Sequence, residues 1–379
     1  MRIIFYEIKK VFTLRKIILL LVISLVIYDL FIRFYFQYFP NGRPEKDDFK
    51  ISGQMLKDYG TSMDEKEFQN FKELYNKQVE EADKYLQSSP EFVKVGITTY
   101  EKFKNMDLKK NEDLSNLRSK AFYEENGDIF WELQTREGII SSYEGKVLGA
   151  NSFGANKSQI QRYNEIIKNG SIKSISPFFV YFNYDCLIYG MAILVVLSIM
   201  FMISPIYIKD TNSKVNYIQY TSKTGRRIFK NKLMAALISS FIIMTIYITA
   251  FFILYSRNKV GIYLNSSLNS FLNMYIYWYD LTFIQYIVLT VVGIYIIGFA
   301  VTLIGAFISR VAPNYITLIG IQVPIFFIII NLCSKILLRN FAIIRYPKYL
   351  QPSLYIILIS IGITLIGFRM KKEKVIDIV

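Results

Sequence analysis

Histidine is missing altogether, and only two cysteines, Cys186 and Cys333, occur in 379 residues. The first absence removes imidazole general bases, Ser-His and Cys-His nucleophile pairs and His-ligated metal sites. The second leaves the polar half of the chain without a disulfide framework, since both thiols fall at or within apolar runs. A phosphate-binding P-loop is also missing. The nearest stretch, Gly149-Ala-Asn-Ser-Phe-Gly154-Ala-Asn-Lys157-Ser158, places two extra residues before its lysine, which breaks the backbone cradle that such a loop needs. No ATPase site, metal or cofactor is therefore expected in this chain. Acidic residues are scarce outside one segment: residues 40–177 hold 21 Lys+Arg and 23 Asp+Glu, a net of −2, while the rest holds 24 basic and 7 acidic residues, a net of +17. The total of +15 is thus no nucleic-acid footprint, because its positives flank apolar runs.

Those runs dominate what is present. Six stretches approach the length of about 20 residues that a helix needs to cross a bilayer: 17–36, 186–208, 233–255, 281–308, 315–336 and 354–368. The fourth is long enough to tilt or break, and the sixth is short unless 349–353 contribute. The first is no cleaved signal, because the run is long and no small-residue cleavage site follows. Phe31-Ile-Arg-Phe-Tyr-Phe-Gln-Tyr-Phe39 forms an aromatic girdle suited to the membrane interface. The fold class expected is an all-α polytopic membrane protein, with six transmembrane helices and a mostly helical extracytoplasmic domain between the first and second. Its divisions are a cytoplasmic interfacial amphipathic helix at 1–14, the first transmembrane helix at 15–39 and the extracytoplasmic domain at 40–177. A five-helix region at 178–369, with a cytoplasmic loop at 209–232, and a cytoplasmic tail at 370–379 complete the chain.

Orientation follows from the cations. Arg2, Lys9, Lys10, Arg15 and Lys16 precede the first run, and Lys209, Lys214, Lys223, Arg226, Arg227, Lys230 and Lys232 fill the loop after the second against Asp210 alone. The tail adds Arg369, Lys371, Lys372 and Lys374. All three segments are assigned to the cytoplasm, which places both termini inside. Lys335, Arg339, Arg345 and Lys348 argue the other way and are outvoted.

Within 1–14, Ile4, Phe5, Ile8, Val11 and Phe12 recur at helical spacing opposite Lys9 and Lys10, a pattern for a helix lying on the inner membrane surface. A plain extension of the first span is the alternative. In the outer domain, Ser62-Met-Asp-Glu65 reads as a capping box opening a helix that runs to Ser88-Ser89-Pro90. Helices are expected near 99–109, 113–125 and 158–168, with 139–158 less regular. The stretch 264–274, interrupted by Asn265, Asn269 and Asn273, is too polar to span. With Tyr275, Tyr277, Trp278 and Tyr279 it suits an outer interfacial segment.

The loop at 209–232 carries the most specific pattern. Asp210 follows the second span, and Tyr217–Tyr220, Thr221-Ser222, Gly225-Arg226-Arg227 and, opening the third span, Lys232 come after it in that order. This order resembles the first cytoplasmic loop of ABC-2 type transporter permeases, and the resemblance extends to the topology along the whole chain. The sequence departs from the family's common pattern in having Asp at 210 and lacking a second acid. The resemblance implies a permease subunit of a bacterial ABC exporter, working as a homo- or heterodimer. The coupling residues it implies are Asp210, Tyr217, Tyr220, Thr221, Ser222, Gly225, Arg226, Arg227 and Lys232, which would dock on a separate ATP-binding cassette subunit. Peptides, antibiotics and lipids are substrate classes the family suggests. The charge pattern alone would also serve anionic lipid headgroups.

Inside the spans, Asp29 and Arg33 form an i,i+4 pair, with a place along the translocation path as the sharper reading. Pro324, mid-span, is a hinge candidate for that path and is preferred over Pro205. Asp185 reads as a marker of the membrane edge, and Gly293, Gly298, Gly305, Gly362 and Gly367 as close helix contacts. Abundant Ile, Lys, Asn and Tyr without His suggest an AT-rich genome, compatible with a Gram-positive bacterium and its cell membrane. The competing class is a membrane sensor or assembly protein whose outer domain binds a ligand. Against it, no signalling module follows the spans. A membrane enzyme has no histidine, metal motif or paired acids to work with.

Overall fold

A computed structural model describes residues 2–107, 112–123, 127–148, 156–215 and 225–375. Among them the secondary structure is helical, with only isolated bridges such as Ser62–Ser174 in place of strands. Six helices are long and apolar enough to cross a membrane: Leu14–Gln37, Phe178–Asn212, Ile228–Asn258, Phe283–Val311, Tyr315–Leu337 and Leu350–Glu373, here spans one to six. The protein is a multi-pass membrane protein. Its chain divides into two compact units, one of residues 1–37, 182–259 and 284–379, the other of 38–181 and 260–283.

In the first unit, span two is the hub. Of its most apolar stretch 83% is buried inside the protein, against 11% for span one. Hydroxyls tie the spans where carbonyl partners are already used in the helices. The Tyr247 hydroxyl lies 2.8 Å from Ser24 Oγ and 3.0 Å from Ser198 Oγ, joining spans one, two and three. Thr302 donates to Ser240 at 2.6 Å between spans four and three. Close packing uses some of the expected glycines: a Cβ at Gly298 would strike Met244, and one at Gly362 would press on Leu303. Gly305 and Gly367 meet nothing within 4 Å, so the close-contact expectation fails there.

The helix Arg2–Val11 is separate from span one, the chain breaking at Phe12-Thr13. Its burial differs from the apolar-face pattern. Glu7 is buried at 6% exposure while Phe5 and Tyr6 are more than half exposed. An ion pair with the third span compensates the buried carboxylate.

The second unit is built on the helix pair Glu65–Ser88 and Gly127–Tyr143, with Glu45–Tyr59, Glu112–Tyr123 and Lys157–Lys168 around them. Phe68 and Tyr143 stack at 4.1 Å in one core cluster, and Phe103 meets Phe130 at 4.5 Å in another. Three local expectations are corrected. The capping box belongs to Asp64 and Glu67, whose side chains and amides exchange bonds of 2.8 and 2.7 Å. Ser62 cannot open the helix because the neighbouring backbone is bonded elsewhere, Met63 N to Lys173 O at 3.0 Å and Ile175 N to Thr61 O at 2.9 Å. The region from Ile139 is helical to Tyr143 and continues as a π turn, Glu144–Leu148, because Ile139 and Tyr143 are core residues. Residues 149–155 lie outside the described residues. The helix expected near 99–109 is the single turn Tyr100–Lys104.

The stretch 260–283 folds into this unit instead of lying as an interfacial strip. Phe271 is a core residue, and Tyr277 is fully buried. Asparagine side chains replace a regular ladder: Asn269 Oδ1 accepts from Tyr277 N at 2.8 Å, and Asn273 Nδ2 donates to Leu268 O at 3.1 Å. That is how a buried irregular backbone satisfies its polar groups.

Candidate functional site

Among the described residues, a cluster of buried charge surrounds a helical stub at the end of span two, on the side that carries the N-terminal helix and the loop at 209–232. The long helix Phe178–Ile203 ends at Ser204, and Pro205 starts a new helix, Pro205–Asn212, at its N1 position. Proline lacks the amide that would continue the ladder and fits a first turn. Ser204 does not cap the stub, since its hydroxyl donates back to Met200 O. The cap comes from span four: Ser309 Oγ accepts from the amides of Tyr207 at 3.1 Å and Ile208 at 3.2 Å. Gln322 of span five donates to Ser204 Oγ. The kink therefore falls at Pro205, while Pro324 sits inside the continuous helix Tyr315–Leu332.

Lys232, only 2% exposed, enters this region from span three. Its ammonium donates to Ile206 O at 2.8 Å and Asp210 Oδ2 at 2.5 Å, lies 3.7 Å from Glu7 Oε2, and faces the Tyr207 ring at 5.7 Å. Glu7 also accepts from Lys10 at 2.6 Å. Two acids and two bases thus form a neutral cluster that fastens the N-terminal helix and span three to the stub. The Tyr207 hydroxyl adds a bond to Phe229 O at 2.7 Å, with the two rings stacked at 5.0 Å. A second cluster lies one residue along. Arg310 of span four holds Glu373 of span six through bonds of 2.8 and 3.2 Å, and reaches Thr211 Oγ1 at 3.5 Å. Arg369 completes it at 2.7 Å from Glu373.

The stub is thereby held by spans three, four and five and, through Arg310, by span six. It leads directly into the loop at 209–232. A displacement of the loop would be resisted by oriented bonds to several helices, which is how a stiff polar network transmits a push.

The residues singled out for the loop separate into two groups. Asp210 and Lys232 form the buried pair just described. Gly225 is buried and Arg227 exposed in the turn Gly225–Arg227, to which Arg226 contributes backbone. Tyr217, Tyr220, Thr221 and Ser222 lie outside the described residues. Asp29 and Arg33 pair at 2.6 Å in and beside a π turn, Tyr28–Ile32, each about half exposed. Asp185 is a buried residue, accepting from Tyr286 Oη at 2.8 Å and Arg339 Nε at 3.3 Å. The helix begins at Phe178, so Asp185 falls inside it.

Sequence reasoning passed over Glu7, Ser309, Arg310 and Glu373. Scarcity was the available signal for two of them: Glu7 is the only acid in residues 1–28, and Glu373 the first after Asp280. Ser309 carried no such mark. No family model, curated protein or solved structure matches this chain.

Proposed function

We propose that this chain is the permease subunit of an ATP-driven exporter of the ABC-2 type, taking its energy from a separate ATP-binding cassette subunit. One observation carries the reading. The loop at 209–232 grows from a stub that is bonded to three spans and linked, through the two charge clusters, to a fourth and to the N-terminal helix. A partner pushing on the loop would move helix ends together instead of bending a free segment. In this reading Arg226 and Arg227, with Tyr217, Tyr220, Thr221 and Ser222, form the contact surface, and the buried Gly225 lies behind it. Asp210 and Lys232 act one step behind it by fixing the base of the loop. Charged flanks suit docking by complementary charge. The chain would work as a dimer in the cell membrane of a Gram-positive bacterium, with both termini cytoplasmic.

The deciding experiment is affinity purification of the full chain from native membranes in mild detergent, with mass spectrometry of the eluate. A stoichiometric ATP-binding cassette subunit is expected, and Arg226→Glu with Arg227→Glu should lose it while the chain still inserts. A wild-type chain eluting alone or with sensor proteins would reject the permease reading. Retention of the subunit by the double variant would reject the assigned contact surface.

A further inference from the structure

The connection between spans five and six has a charge that the coupling reading does not use. No acidic residue occurs anywhere in 281–372, yet Lys335, Arg339, Arg345 and Lys348 fall within fourteen positions of one another. By the order of six crossings, this connection lies on the side opposite the cation-rich loop at 209–232.

The segment is rigidly built. Asn340 and Ala342 sit at φ of 58° and 59°, a region non-glycine residues adopt only when the surroundings hold them there. Span six does much of the holding: Gln351 accepts from Ala342 N at 2.9 Å and donates to Ile336 O at 2.5 Å, and Tyr355 donates to Leu337 O at 2.5 Å. Tyr286 of span four donates to Leu338 O at 3.2 Å. Arg339 turns inward to Asp185 and lies over the rings of Phe182 and Tyr189 at 5.9 and 5.8 Å. Arg339 is thereby engaged by Asp185.

Lys335, Arg345 and Lys348 remain on the exposed side. Lys335 is in the last turn of span five, and Tyr349, 71% exposed, immediately precedes span six at Leu350. Lys348 lies 6.0 Å above the Tyr349 ring. Chain position alone thus puts cations and an amphipathic ring at the depth where a span leaves the hydrocarbon. Aromatic side chains favour that depth, and clustered Lys and Arg there attract negatively charged headgroups.

We propose that residues 335–349 form a binding surface for anionic phospholipid headgroups in the leaflet opposite the loop at 209–232. A phosphate-bearing headgroup would sit among Lys335, Arg345 and Lys348, with Tyr349 against its glycerol and upper acyl region. The inference is independent of the coupling assignment.

The test places the full chain, carrying Tyr349→Trp as a local probe, in proteoliposomes containing brominated phosphatidylglycerol or brominated phosphatidylcholine at equal mole fraction. The difference in quenching from the parent chain reports on position 349. Each headgroup-level cation contributes about fivefold in affinity, so quenching should favour phosphatidylglycerol severalfold. Lys335→Gln, Arg345→Gln and Lys348→Gln together should abolish the preference, and an unchanged circular-dichroism spectrum would show the variant folded. Equal quenching by both lipids, or a preference that survives the triple change, would overturn the proposal. Loss of the preference on adding millimolar inorganic phosphate would also overturn it, by assigning the surface to a soluble anion.

Discussion

Lys232 has given up water for Asp210, Glu7, the Ile206 carbonyl and the Tyr207 ring, so its partners depend on it as much as it does on them. Removing one member of a buried ion pair strands the others at a cost of about 3–5 kcal/mol. Lys232→Met should therefore lower the unfolding temperature of the detergent-solubilised protein by several degrees, and adding Asp210→Asn should recover part of the loss. Glu7→Gln should cost less, since Glu7 stands 3.7 Å from the ammonium. Thermal unfolding of the three variants in parallel checks the order. Asp48 in the second unit poses a pH question. Burial, then the neighbouring Glu45 and Asp47 carboxylates, push its carboxyl up from 3.8 to about 6. The folded unit thus binds this proton more tightly than the unfolded chain does. The proton's contribution to stability is complete at the acid end and is lost as pH rises from about 4 to about 6, with a slope of at most about 1.4 kcal/mol per pH unit. Asp48→Asn should flatten that slope, stabilising the unit at pH 7 and changing little at pH 4, as read from melting curves at both values.

At the scale of elements, caps decide where helices begin. Asp64→Ala should destabilise the second unit by about 1 kcal/mol, the usual cost of losing an N-cap. Ser62→Ala should be nearly neutral, although Ser62 heads the more obvious sequence pattern. Denaturant unfolding of both variants tests this. The capping residue types around 62–67 were legible, but the register was not, because it depends on backbone bonds from 61–63 to 173–175. The span-two stub makes the same point. Its proline announces a break, yet its cap is Ser309, about a hundred residues away. Ser309→Ala should lower the unfolding temperature slightly, and Ser309→Thr, which keeps the oxygen, should restore it.

At the scale of the whole molecule, the second unit is drawn from two stretches of chain, and Phe271 of the later stretch completes a core begun by Phe68 and Tyr143. Lys146 reinforces the join with bonds to Phe271 O at 3.1 Å and Asn273 O at 2.7 Å. A fragment of 38–181 alone should expose that core and melt at lower temperature, or more broadly, than the same fragment joined by a short linker to 260–283. Circular dichroism of the two purified fragments decides it. An equal melt would show that the later stretch adds nothing to the core.

Hydropathy and helical period determined the spans from sequence, because a bilayer-crossing helix needs about 20 apolar residues whatever surrounds it. The Asp29–Arg33 pair and the helices from 65 to 88 and 157 to 168 were legible for a similar reason, since their determinants lie within a few positions. Glu7 facing inward, Asp185 buried beneath Arg339, Ser309 capping a distant stub and 260–283 joining the second unit were decided only by the tertiary structure. Each depends on a partner far along the chain, and burial of a charge or an irregular backbone becomes affordable only once that partner is in place.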